Sequence, residues 1–272
     1  MSRINPHKTG EDDTDRVRTA RNAYAAAILF AVIAVHVLVW LTDLYDPVNA
    51  TNRTAVYAAA AGTILALTGA RRIMTHASTF AHELSHCVAA IAVGASPRSI
   101  TYQTDATGLA ILAFPERVGR YRRAIVFLSG YLGPIIAAST ILCGLATGYT
   151  KEGLVVLSIA CGGALLLLVR NLWGAFVTGL LAAAAWLGAV YLPTRSTEIA
   201  AGLLVGILTT MGVCDAWEQL RRKTPGECDA AEAARELYGI PWKLVAGFQM
   251  ATVVFGAGVL AYMLLKIYGM VP

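Results

Sequence analysis

Residues 73–95 read IMTHASTFAHELSHCVAAIAVGA. A helix needs about 20 apolar residues to cross a bilayer, and this stretch is long enough. Yet it holds His82, Glu83 and His86 near its middle. Arg71 and Arg72 precede it, and Gly94, Ser96 and Pro97 supply the residues that end helices. Ionisable groups inside a membrane span are costly and mark function by default. Three of them within five positions are hard to explain as packing.

The rest of the chain makes the membrane setting general. Of 272 residues, 57% are hydrophobic and only 14% are charged, where soluble domains carry about 25% charged residues. The charges cluster between long apolar runs. The net charge of +5 does not indicate nucleic acid, because the bases sit beside apolar runs, as positive-inside clusters do. Five cysteines, odd in number and without a Cys-x-x-Cys pair, read as small core residues rather than a disulfide framework.

Spans are expected at residues 24–44, 55–70, 73–95, 124–147, 154–169, 172–192, 199–216 and 242–267. The expected fold is therefore an all-α polytopic membrane protein of about eight spans. Residues 1–21 form a charged tail, with no cleaved signal expected after it, and residues 22–272 form the membrane-embedded domain. Residues 99–114, rich in Thr, Tyr and Ile, read as a β-hairpin or re-entrant segment after the His-Glu helix. Residues 218–240 read as a cytoplasmic amphipathic segment.

The basic clusters at Arg71–Arg72, at 117–123, at Arg170 and at 221–223 would all face the cytoplasm. A single crossing by 73–95 would separate the first two. A hairpin that returns through the membrane depth removes the conflict, and extended backbone survives there only when covered by protein or lining a wet cavity. The localisation expected is a multi-pass protein of the plasma (inner) membrane, in contact with the lipid bilayer.

Residues four apart on a helix share a face, so His82 and His86 point the same way. Two imidazole nitrogens can then bind one zinc, with Glu83 placed as general base toward a zinc-activated water. In this order and spacing the residues read as a metalloprotease signature. A catalytic zinc needs a third protein ligand. Depth in the membrane favours Asp215, at the end of an apolar run. Asp229 is the alternative, although Asp229 to Glu232 also read as a capping box.

Other residues have plainer readings. Asp105 fits turn chemistry. Asn171 could bond a substrate strand or simply join two spans. His36 reads as a packing residue, and His76 lies one or two turns before the motif and off its face. The glycines of Ser-Gly-Tyr-Leu-Gly-Pro, 129–134, read first as close helix packing and second as a backbone open to substrate.

These residues together resemble the site-2 protease group of intramembrane zinc metallopeptidases, in particular its short M50B-like branch. The carriers are Thr-Phe-Ala-His-Glu-Leu-Ser-His at 79–86, the segment 99–110 ending Thr-Gly-Leu-Ala, and Ser-Gly-Tyr-Leu-Gly-Pro at 129–134. Arg-Asn-Leu-Trp-Gly at 170–174 and Cys-Asp-Ala at 228–230 complete them. The resemblance implies zinc held by His82 and His86, Glu83 as base, and hydrolysis of a peptide bond in or near a transmembrane segment of a membrane-protein substrate. Two positions depart from the pattern: Ser85 stands where glycine is usual, and Arg170-Asn171 stands where an Asp-Gly motif supplies the third ligand. That second departure keeps open a non-catalytic protein that retains the motif as a metal- or substrate-binding site.

Overall fold

The computed structural model describes residues 54–68, 71–224 and 228–271. The expected tail at 1–21, the expected span at 24–44 and His36 lie outside the described residues. The described elements are α1 (Thr54–Leu67), α2 (Arg71–Ala92), β1 (Ser96–Tyr102), β2 (Gly108–Ala113), α3 (Arg120–Ser129), a 3-10 turn (Gly130–Leu132), α4 (Gly133–Thr147), α5 (Thr150–Leu167), α6 (Leu172–Tyr191), α7 (Thr194–Arg221), α8 (Asp229–Glu236) and α9 (Trp242–Ile267). The protein is mostly helical, with one small antiparallel hairpin.

Five described segments are long and apolar enough to cross a membrane: α3 through α4, α5, α6, α7 and α9. This is the pattern of a multi-pass membrane protein. The expected number of about eight is not reached among the described residues. α1 has only 14 residues, and α2, though 22 residues long, carries the ionisable residues of the motif. Large side chains such as Leu166, Leu172, Phe176, Phe248 and Phe255 are exposed, as outward positions on lipid-facing helices are.

α7 is the central element, packed by α1, α4, α9, α5 and α2. Between helices in lipid, association depends on close van der Waals contact, so small residues line the seams. The α1–α7 seam follows this rule closely. A methyl on Gly206 would lie 2.0 Å from the Ala59 carbonyl oxygen, and one on Gly202 would lie 2.5 Å from that of Ala55. The main buried cluster then runs through Ile135, Ile141, Leu142, Val205, Leu208 and Val253. None of the five cysteines is in a disulfide, and four are buried.

The hairpin forms where the sequence places it. Asp105 accepts hydrogen bonds from the Thr107 amide at 3.0 Å and the Thr107 hydroxyl at 2.7 Å, closing the turn. Residues 168–170 lie along the other side of β1: the Ile100 amide donates to Leu168 O at 2.8 Å, and Arg170 N donates to Ile100 O at 3.1 Å. β1 is therefore central and β2 is the outer strand. Thr79 on α2 ties the hairpin tip down, donating to Ala106 O at 2.8 Å.

The α1–α7 seam gives a direct test. Gly206→Ala is expected to lower stability by about 1–3 kcal/mol through overpacking, read by unfolding in detergent. Gly162, whose added methyl would meet nothing within 4 Å, serves as control. Its alanine variant is expected to stay within about 0.5 kcal/mol of the parent or to gain stability.

Candidate metal site

The site begins with a broken helix. Pro134 has no N–H, so the carbonyl of Gly130 loses its helical donor. The Gly133 amide turns to Gly130 O instead, which frees the carbonyl of Ser129. Ser85 on α2 lies opposite this break. Its hydroxyl is 2.8 Å from Ser129 O, 3.3 Å from Gly130 O and 2.8 Å from its own helix at His82 O. The serine that departs from the usual glycine thus joins α2 to the carbonyls left open by the break.

This contact sets the two histidines. His86 is 5% exposed, and its Nδ1–H donates to Val126 O at 2.7 Å. That bond fixes the ring and the tautomer, leaving the Nε2 lone pair free to bind a cation. The His82 ring packs edge-on to Tyr131, with centroids 4.6 Å apart. The two Nε2 atoms are 3.1 Å apart.

α8 supplies the third group. It buries Ala230, Ala231, Ala233 and Ala234 against Val245 and Ala246 of α9. That places Asp229, in its first turn, over the histidines. The Asp229 Oδ2 lies 2.8 Å from His82 Nε2 and 3.3 Å from His86 Nε2. At the far end of α8, Glu236 pairs with Arg123 at 3.3 Å and Arg120 at 3.7 Å. Burial by itself pushes the Asp229 carboxyl up, but His86 and His82 outweigh it and hold the carboxyl below the usual carboxylate range.

The set fits a metal. A tetrahedral ion with bonds of about 2.0–2.1 Å separates its ligand atoms by about 3.3–3.4 Å. The separations of 2.8, 3.1 and 3.3 Å lie close to those edges. Among the described residues, His82, His86 and Asp229 form the group that could hold a metal ion. Gly130 keeps the space clear: a methyl there would lie 2.5 Å from His86 Nε2 and 2.6 Å from His82 Nε2.

Glu83 stands beside this group on the hairpin side and is 7% exposed. The Ala110 backbone amide hydrogen-bonds its carboxylate, and Gly108 lies against it. A methyl on Gly108 would be 2.9 Å from Glu83 Oε1. The direction of this bond follows from register. Ile100 spends its N–H and C=O on residues 168–170, and its partner Ala110 faces away from β1. Glu83 therefore sits on the open edge of the outer strand.

Of the two aspartates weighed for the third ligand, the structure brings Asp229 to the imidazoles and not Asp215. Asp215 accepts a hydrogen bond from Ser78 Oγ at 2.9 Å, one turn before the motif. Asn171 is engaged by the chain's own strand: Tyr102 N donates to its Oδ1 at 3.1 Å, and its Nδ2 donates to Tyr102 O at 2.5 Å. His76 packs edge-on to Trp173, centroids 5.7 Å apart. The stretch 218–240 is not one helix; it divides into the end of α7 and the separate α8. Sequence reasoning missed the role of the Val126 carbonyl, which no side-chain pattern signals. It noted Gly130 only as packing or open backbone. Gly133 does pack, since its methyl would lie 2.2 Å from Ala81 O, but Gly130 faces the imidazoles.

Two substitutions separate these assignments. Asp229→Ala and Gly130→Ala are each expected to lower bound metal per chain at least tenfold, in line with loss of a ligand or its support. Asp215→Ala is expected to retain it. Metal analysis of protein purified in detergent, with unfolding as a fold check, reads the difference.

A family profile described as Peptidase M50B-like matches residues 54–262, which contain every residue of this site. No curated protein and no solved structure matches the chain in the corresponding comparisons. With a motif helix, a hairpin, a glycine break and a third candidate ligand all inside the matched region, the chain belongs to the M50B-like peptidase family.

Proposed function

We propose that this protein is an intramembrane zinc metallopeptidase that cuts a membrane-protein substrate in or near a transmembrane segment. The observation that carries the reading is the convergence of His82, His86 and Asp229 on one point, with Glu83 beside them. His82, His86 and Asp229 would hold the zinc. Two nitrogens and one carboxylate oxygen suit zinc, which takes such mixed sets in catalytic sites with a fourth position left open. A bound zinc supplies Lewis acidity to a water and to the scissile carbonyl.

The chain's own groups do the rest. Glu83 takes a proton from the attacking water and returns it to the leaving amine. The Val126 carbonyl holds His86 in the tautomer that presents Nε2. Substrate enters extended, because a peptide bond in a helix has its carbonyl already bonded and shielded. The outer edge of β2 supports that step: an unwound segment laid along it gains backbone hydrogen bonds and is delivered to the Glu83 side of α2. The lipid bilayer is the proposed setting, and the plasma (inner) membrane the proposed location. Residues 22–272 would act as one membrane-embedded domain, with the α8 side toward the cytoplasm.

The absence of an Asp-Gly motif at 170–171 favoured a non-catalytic reading in the sequence. The position of Asp229 weakens that argument, because an aspartate on another helix could supply the third ligand.

Glu83→Gln decides between the two. It is expected to keep zinc at about one per chain and to slow cleavage by about 10²–10⁴-fold, the usual contribution of a general base. Cleavage is read on a single-span model substrate in detergent and on membrane-protein fragments in cells. Unchanged cleavage in Glu83→Gln, or a zinc-free parent protein, would overturn the proposal.

A further inference from the structure

Two buried glutamines lie behind the metal site and outside the His-Glu motif. Gln219, near the end of α7, is 1% exposed, and Gln249, in the second turn of α9, is 3% exposed. Gln219 Nε2 donates to Gln249 Oε1 at 2.7 Å. The Ala230 amide donates to Gln219 Oε1 at 3.4 Å. Gln249 Nε2 donates to Phe127 O at 3.4 Å. The result is one chain of three bonds through four helices, running from α8 through α7 and α9 to α3.

Both ends of the chain are backbone atoms with fixed roles. An amide N–H only donates and a carbonyl only accepts. The direction is therefore set throughout, since flipping either side-chain amide would oppose two donors or two acceptors. The end positions are also specific. Ala230 directly follows Asp229, the third group of the site. Phe127 directly follows Val126, whose carbonyl orients His86. The Ala230 amide is one of the first-turn amides of α8 that have no partner within the helix. The residue before the helix, Cys228, makes no side-chain cap bond. Gln219 takes over that function from a neighbouring helix.

We propose that Gln219 and Gln249 are positioning residues that hold Asp229 in register with His86. α8 has only eight residues, and its outer end is fixed by partly exposed ion pairs from Glu236 to Arg120 and Arg123, which solvent weakens. Its metal-site end needs a firmer link to the helix that orients His86. A directed chain through buried amides provides one, because it transmits position without the freedom of a solvated side chain. This inference rests on the reading of His82, His86 and Asp229 as metal ligands.

The test uses full-length protein in detergent, with Co²⁺ as probe, and compares the parent with Gln219→Met, Gln249→Met and the double variant. Affinity is measured against a competing chelator, the ligand field by the visible Co²⁺ bands, and stability by thermal unfolding of the metal-free protein. Each single variant is expected to weaken Co²⁺ about 10–100-fold, as loss of an outer-shell partner does. The double variant is expected to recover thermal stability, since replacing both partners of a buried bond is nearly neutral. Its Co²⁺ affinity is expected to stay low and its bands shifted. Parent affinity and bands in the folded variants would overturn the inference. So would recovery of affinity together with stability in the double variant, which would make the pair packing alone. If the double variant does not fold, the single variants carry the test, and parent affinity and bands in a folded Gln219→Met or Gln249→Met overturn the inference. A parent protein that binds no Co²⁺ would instead refute the metal reading itself.

Discussion

The site depends on one close approach, the backbone of Gly130 against the imidazoles of His82 and His86. Only a glycine leaves the space, and only a broken helix brings its backbone there. Pro134 makes the break by withholding an amide, and the freed carbonyls then need donors. Ser85 supplies one from α2, so the same event that opens the helix also binds it to the motif. The carbonyl of Val126, one turn before the break, is at the depth where His86 needs an acceptor. The helix break, helix docking and histidine orientation are thus parts of one arrangement.

The hairpin solves a second problem of working in an apolar setting. Backbone groups without partners are costly in lipid, so an open strand edge needs cover. β1 is covered on both sides, by β2 and by residues 168–170. β2 keeps one open edge, and that edge faces Glu83. Asn171 and Thr79 both hold the turn end of the hairpin, by bonding backbone atoms of Tyr102 and Ala106. The strand's position relative to Glu83 is therefore held by α2 and by the start of α6, rather than by the hairpin's own short ladder.

The third group comes from a different kind of element. α8 is short and charged on its outer face, and it docks through small alanines. Such a helix carries little stability of its own. Its place is set by what it packs on and by what ties its ends. A metal held between α2 and α8 would tie the motif helix to a segment outside the spans, so binding and the packing of α8 are coupled in the same site.

Much of this was legible in the residues alone. The motif at 82–86 is a local pattern: helical spacing puts both histidines and the glutamate on neighbouring positions whatever the rest of the chain does. The hairpin was legible because Asp105, Thr107 and Gly108 specify a turn by short-range chemistry. Most of the later spans were legible as long apolar runs, with boundaries that moved by a few residues where helices extended into polar caps. The third group was not legible. Asp229 lies 147 residues from His82, and its sequence signature, a capping box at the head of a charged stretch, belongs equally to any solvated helix. Depth along the chain favoured Asp215, which instead bonds Ser78. Spacing within one helix is decided by the helix, so sequence suffices for it. Which aspartate meets the histidines is decided by how α8 docks on α3 and α9, and only the tertiary structure contains that.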